Sequence, residues 1–479
     1  DEGSGTDVAD SSASGNDGTM GSAAWAGAGT LNWTGGATPS AGKLTMNGSS
    51  AKSLNITSAT KFFNLTSSGS GALTISDIPY IYGLLESSGT NIVRAGQLGI
   101  SGTTTPTVSG TTFANISSFI YQAGSGNTTV ATATTYDTLR GSNNTPVRLG
   151  GVTTATSVHL DGTNVSLTTM GHNLTTKTVN NSGTLTLSAD TTLTFSDLSG
   201  CGFGSSSGTL VSSGTEDDPN TITSGSTPTH YWNFYDHSMD ITADHTTFEH
   251  FHRYESGSAT IDIDNCTIRN SLTNYYNWTI EGGATITSFT NNSIAVVGNY
   301  GFQNHKAHTA FDNITITGGS DRDVISSVKS EFTNSNFDIT KVVLSNSSSH
   351  VVSKTHNDTE NLYEICAGSG ALTYSTIANP FGTDADVKLR TGILTMNQDN
   401  KVCDTFNVYA TTSIRVTDGN DLYVQGTFDN DGTWVQTSGY GGDIHVGSFT
   451  PFDSGDILDN TDFVDTGFHD TTHYLEMDL

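Results

Sequence analysis

Basic residues are scarce in this chain: 18 Lys plus Arg stand against 47 Asp plus Glu, a net charge of −29 over 479 residues. Such a field repels phosphate backbones and anionic lipid, so nucleic acid is excluded as an expected partner. Proline occurs only 8 times, and runs of Ala, Glu, Lys and Leu that would build helices are missing. No stretch reads as a membrane-crossing helix, a signal peptide or a C-terminal anchor, so no membrane insertion is expected. The start at Asp1, without Met, is read as that of a mature, processed form. Four cysteines, Cys201, Cys266, Cys366 and Cys403, lie too far apart for a zinc ribbon or a redox pair; buried thiols and two disulfides in any of 3 pairings both stay open. Phosphate-binding glycine loops, a nucleophile elbow and basic patches are absent. So are calcium nonapeptide repeats and EF-hand loops, and no cofactor is expected, although the acidity leaves motif-free Ca²⁺ binding open.

What is present is a repeat. The hexapeptides IDNCTI (263–268), FTNNSI (289–294), FDNITI (311–316) and FTNSNF (332–337) start 26, 22 and 21 residues apart. Each places a large apolar residue first, Asn two positions on and an apolar residue three further: Ile263 and Asn265, Phe289 and Asn291, Phe311 and Asn313, Phe332 and Asn334. A period of this size is one turn of a parallel β-helix. The pattern needs a bend at or beside the Asn, a residue that tolerates the left-handed backbone and can stack from coil to coil as a hydrogen-bonded ladder. The first residues of the four copies are expected to form one internal column. If the ladder amides lie inside the coil, the repeat Asn cannot carry sugar.

Composition fits an all-β solenoid. Gly counts 53 of 479 and hydrophobic residues 34%; that is too little for a thick globular core but enough for a thin inner stack whose backbone bonds are made by the next coil. A rod on the order of 100 Å long is expected. Along the chain, residues 1–30 are a Gly/Ser/Ala/Asp segment, and 31–200 are short strands such as KLTMNG, NLTTKTV and TLTFSD. A Gly/Ser-rich loop or boundary is expected at 201–229, coils with Asn repeats at 230–360, C-terminal β-rich coils at 361–449 and an acidic, aromatic cap or arm at 450–479.

Sixteen Asn-X-Ser/Thr sequons, a modest excess over chance, make Asn32, Asn55, Asn64, Asn115, Asn164, Asn173, Asn277, Asn291, Asn346 and Asn357 glycosylation candidates. The one concentration of reactive side chains is 230–254, with His230, His237, His245, His250 and His252 among Asp and aromatic residues. On a continuous strand His250 and His252 share a face with Phe248 and Tyr254, and that pair is the metal candidate. Tyr231, Trp232, Phe234, Tyr235, Tyr275, Tyr276 and Trp278 are candidates for a glycan platform.

These repeats and the TLTLSADTTLTFSD-type strands resemble right-handed parallel β-helices of secreted proteins, a group that includes polysaccharide lyases, galacturonases, phage tailspikes, adhesins and archaeal surface proteins. Acidity, sequons and scarce Lys and Arg look most like archaeal sheath, filament or surface-layer proteins. The resemblance implies the fold and an extracellular site. Galacturonase-type sites need four motifs in order along the coils, and here only an Asn-Thr-Asp stands, at 460–462. The Asp-X-Asp pairs Asp262/Asp264 and Asp321/Asp323 and the isolated Arg253, Arg269 and Lys306 make weak catalytic sets. The expectation is therefore a non-enzymatic subunit that self-assembles into a homopolymer, with Trp25 and Trp33 anchoring an N-terminal assembly segment; the alternative is a glycan-binding adhesin or tail-fibre-like module.

Overall fold

A computed structural model describes most of the backbone between residues 23 and 446, with short gaps, and most side chains of 43–317. Phe332, Asn334, Asn346 and Asn357 have side chains outside the described set, as do Asn32, Asn115 and Asn277, and all of 1–22 and 447–479 lies outside it. Contacts divide the chain into two units, 1–246 and 247–479. The described residues hold 49 strands and no helix, and they form a parallel β-solenoid.

In the first unit the N-terminal coils carry three strands per turn. Lys43–Asn47, Lys52–Ile56 and Thr60–Phe62 pair in parallel with Asn64–Ser68, Leu73–Ile75 and Pro79–Ile81 one turn later. Alternating sequence explains the strands: Thr184–Leu187 (TLTL) and Thr192–Phe195 (TLTF) bury every second residue. Pairing in register then stacks like on like, so Val147, Leu167, Leu185, Leu210 and Ile241 form one column, each no more than 2% exposed. Fully burying such a side chain contributes about 1.5–3 kcal/mol, which is how a chain with few apolar residues holds its coils together.

Residues 201–229, expected to be a loop or boundary, are coil. Their strands Gly202–Phe203, Thr209–Ser213 and Asn220–Thr223 pair in register with the coil before them. The glycines and serines there widen the turn: the step from Val179 to its partner Phe203 is 24 residues, and from Phe203 to Phe234 it is 31. Gly202 has φ +128° and passes against the Asn233 backbone with no room for a side chain.

The second unit shows how the hexapeptide works. Asn265, Asn291 and Asn313 all have left-handed backbone, with φ of 54°, 55° and 52°, and each bends its strand so that the following residue turns inward. Ile263, Cys266 and Ile268 are therefore buried in one copy, and Phe311, Ile314 and Ile316 in another. Ile263, Phe289, Phe311 and Phe332 are successive partners across the coils, as are Phe248, Ile268, Ile294, Ile316 and Phe337. Asp190 (φ 61°) and His245 (φ 43°) in the first unit make the same bend ahead of buried Thr191 and Thr246, copies that sequence comparison by Asn alone does not find.

The ladder is double, and the repeat Asn is its outer rail. Asn313 is exposed, and its Nδ2 donates to Asn291 Oδ1 at 2.9 Å; its amide is thus outside the coil, not inside. Only in FTNNSI is the next residue also Asn, and it points inward. Buried Asn292 accepts from the Cys266 N–H at 2.9 Å and donates to the Ile263 carbonyl at 2.8 Å. Asn220 repeats this in the first unit, accepting from Thr191 N–H at 2.9 Å and donating to Leu187 O at 3.2 Å and Ser212 Oγ at 3.1 Å. A bend leaves a backbone donor and an acceptor without a strand partner, and one amide from the neighbouring coil satisfies both.

Candidate functional site

The His-rich stretch does not assemble as a continuous strand would arrange it. His250 itself adopts φ 58°, ending strand Thr246–Glu249 before Phe251–Glu255 begins. Burial there follows Phe248, Phe251 and Tyr254, each at most 1% exposed, and the left-handed His250 sets the first of these three-residue steps. The face shared by His250, His252, Phe248 and Tyr254 is broken: both rings turn inward, and the two imidazoles are only part-buried. Burial, and secondarily the Arg253 charge, lowers the His252 pKa. Among the described residues no group of three or more His, Cys, Asp and Glu side chains is placed to hold a metal ion.

Of the aromatic platform, Trp232, Phe234 and Trp278 are inside, while Tyr231 is part-buried. Trp232 is fully buried and stacks on Phe195 with ring centres 5.3 Å apart, and Trp278 is fully buried and stacks on Tyr254 at 4.1 Å. Phe234 and Phe203 complete the first cluster. These rings widen the core where the coils widen, and they offer no flat surface to a sugar; Tyr235, Tyr275 and Tyr276 lie outside the described residues.

Candidate acids and bases are held by partners on the next coil or, for Arg253, on the same strand. Asp264 Oδ1 accepts from Ser288 Oγ at 2.6 Å, from the Thr290 N–H at 2.9 Å and from Thr290 Oγ1 at 2.6 Å. Arg269 grips Glu249 at 2.9 Å, and Arg253 lies 2.9 Å from Glu255. Cys201 and Cys266 are buried thiols, not disulfide-bonded, and the Cys266 Sγ points at the Asp264 carbonyl at 3.1 Å.

One exposed carboxylate is strongly perturbed. Asp197 receives the backbone N–H groups of Thr229 at 3.0 Å and His230 at 2.6 Å, the Thr229 hydroxyl at 3.0 Å, and sits 3.2 Å from the His230 ring. The Thr229 N–H is the leading cause that holds its pKa at about 2, below the ordinary 3.8. This clasp ties the loop after strand Thr192–Phe195 to the one before Trp232–Phe234. Because the folded-state value is depressed, its contribution is complete above about pH 4 and is lost as pH falls through 2. We expect Asp197→Asn to melt lower than the native chain at pH 6 and the two to converge near pH 2. A gap unchanged between those pH values in thermal melts rules out the clasp as its source.

The outward sequon residues Asn55, Asn164, Asn173 and Asn291 are exposed. Asn173 and Asn291 accept through Oδ1, from Thr192 N–H at 2.8 Å and Asn313 respectively, and Asn64 is half-buried with Oδ1 taking Leu84 N–H at 2.6 Å.

The candidate site that remains is an edge. Among the described residues, strand Ala23–Trp25 is last in a five-stranded sheet and pairs with Lys43–Asn47 alone, and strand Gly29–Trp33 is last in a four-stranded sheet and pairs with Lys52–Ile56 alone. Trp25 stands in register with buried Met46, and Trp33 with buried Ile56. The run from Ala23 to Trp33, AAWAGAGTLNW, holds no charge and no proline, the two devices that usually blunt an open strand edge. In a chain of net charge −29, such a stretch is a surface suited to pairing with another strand. No family model matches the chain, and neither a curated protein nor a solved structure matches it.

Proposed function

We propose that this chain is an extracellular structural subunit that self-assembles into a filament, sheath or surface layer, with N-linked glycans on its outward Asn residues. The observation that carries this reading is the one-sided, uncharged edge formed by Ala23–Trp25 and Gly29–Trp33. A strand edge of this composition, paired on one side among the described residues, binds strands through backbone bonds, which is an assembly surface and not a chemical one. Two further features support it. Of the candidate acids and bases, Asp264 and Arg269 are committed to coil-to-coil bonds and Arg253 to Glu255 of its own strand, and of the rings that would serve an adhesin, Trp232, Phe234 and Trp278 lie in the core. The high negative charge keeps the faces of such a subunit solvated and mutually repelling, so contact is directed to the coil ends.

The experiment is removal of residues 1–24. This segment is mostly Gly, Ser, Ala and Asp, a composition with too little apolar surface to offset an ordering cost of about 1–2 kcal/mol per residue. The shortened chain is expected to keep its β-rich circular dichroism and its melting temperature and to lose assembly. Assemblies formed as readily as by the full chain contradict the N-terminal segment's part in the reading.

A further inference from the structure

We propose that copies join head to tail, the N-terminal edge of one copy continuing the strand ladder from the C-terminal edge of the next. The proposal rests on the self-assembly reading and specifies its joint. At the C-terminal side, strand Asp443–Val446 is last in its three-stranded sheet, pairing with Asp421–Val424, which pairs in turn with Asn400–Val402. Among the described residues it too is paired on one side only.

In a parallel solenoid each coil offers one edge to the coil before it and the opposite edge to the coil after it, so the two edges are complementary by construction. The edge of Gly29–Trp33 carries the donors and acceptors that a preceding coil would meet, and the edge of Asp443–Val446 those that a following coil would meet. A head-to-tail contact prolongs the pairing already made within the chain. A two-fold contact between N-terminal edges sets the strands antiparallel, a pairing absent among the described strands, all of which run parallel. Two different surfaces meeting in this way form a heterologous contact, which propagates as a polar filament where its rotation does not close a ring. The occupant of the uncharged edge is thus a second copy of this chain, presenting its last strands.

Two edge variants test the joint. One carries Ala24→Pro with Thr30→Pro, the other Asp443→Pro with His445→Pro; Lys at the same four positions replaces Pro if a melt shows that a variant has unfolded. Mass is read by light scattering, alone and mixed. The proposal expects each variant alone to lose polymerisation and the equimolar mixture to form a complex of twice the monomer mass, joined by the two intact edges. A C-edge variant that dimerises alone overturns it, since the N-terminal edge then meets itself. Both variants polymerising like the native chain also overturns it and places the joint elsewhere, with self-assembly intact. A native chain that stays monomeric at every concentration defeats the self-assembly reading and the joint with it.

Discussion

Phe311→Ala is expected to destabilise its unit by about 3–5 kcal/mol, the range for removing a buried aromatic ring from a packed core. Phe311 is completely buried. Its ring meets Phe289 edge to face at 5.6 Å and Phe302 at 5.7 Å, and its strand partners continue the column on both sides. A solenoid coil is held by its two neighbours and by no larger core, so a cavity in one column weakens two interfaces at once. Exposed Ser293, one coil earlier, is the control, and Ser293→Ala is expected to stay within about 0.5 kcal/mol. Urea unfolding followed by tryptophan fluorescence reads both, since Trp278 is stacked in the same unit. A loss below 1 kcal/mol for Phe311→Ala contradicts the column.

Asn220→Ala is expected to cost about 2–6 kcal/mol, because it orphans the Thr191 N–H and the Leu187 carbonyl, at about 1–3 kcal/mol for each buried group left without a partner. Asn220 is fully buried, and its amide makes three of its bonds to the neighbouring coil and its own turn. Asn292→Ala removes the same two kinds of bond in the other unit, from Cys266 N–H and to Ile263 O, and is expected to cost a similar amount. Asn313→Gly removes only the exposed rail and keeps the left-handed bend, and is expected to cost far less. Equal losses from Asn313→Gly and Asn292→Ala in chemical denaturation would show that the inner amide has no special weight.

The fold was legible because periodicity is a property of residue order. Hexapeptides that recur every 21–26 residues, with Asn265, Asn291 and Asn313 at the left-handed bend, determine both the coil and its corner. What stayed hidden is instructive. FTNNSI carries two adjacent Asn residues, and nothing in the sequence says which is the outer rail; the backbone does, since the left-handed Asn291 is thrown outward and Asn292 inward. The same bend at His250 undid the expected His250–His252 face, because alternation holds only along an unbroken strand. Trp232 and Trp278 sit among His, Tyr and Asn, a context that reads as surface, yet wide coils need large rings to fill them. The Gly/Ser run at 201–229 looked like a boundary because the residues that widen a turn are those that make a loop. For the assembly edge, the absence of charge from Ala23 to Trp33 was visible in the sequence, but its meaning came only once the strands were seen to pair on one side.

The central claim, that this chain is a subunit and not a solitary module, is tested most directly by sedimentation velocity of the purified full-length chain across a wide concentration range, with electron microscopy of the heaviest fraction. The account predicts species that grow with concentration into regular filaments or sheets; a single monomeric boundary at every concentration, with no ordered assemblies on the grid, contradicts it.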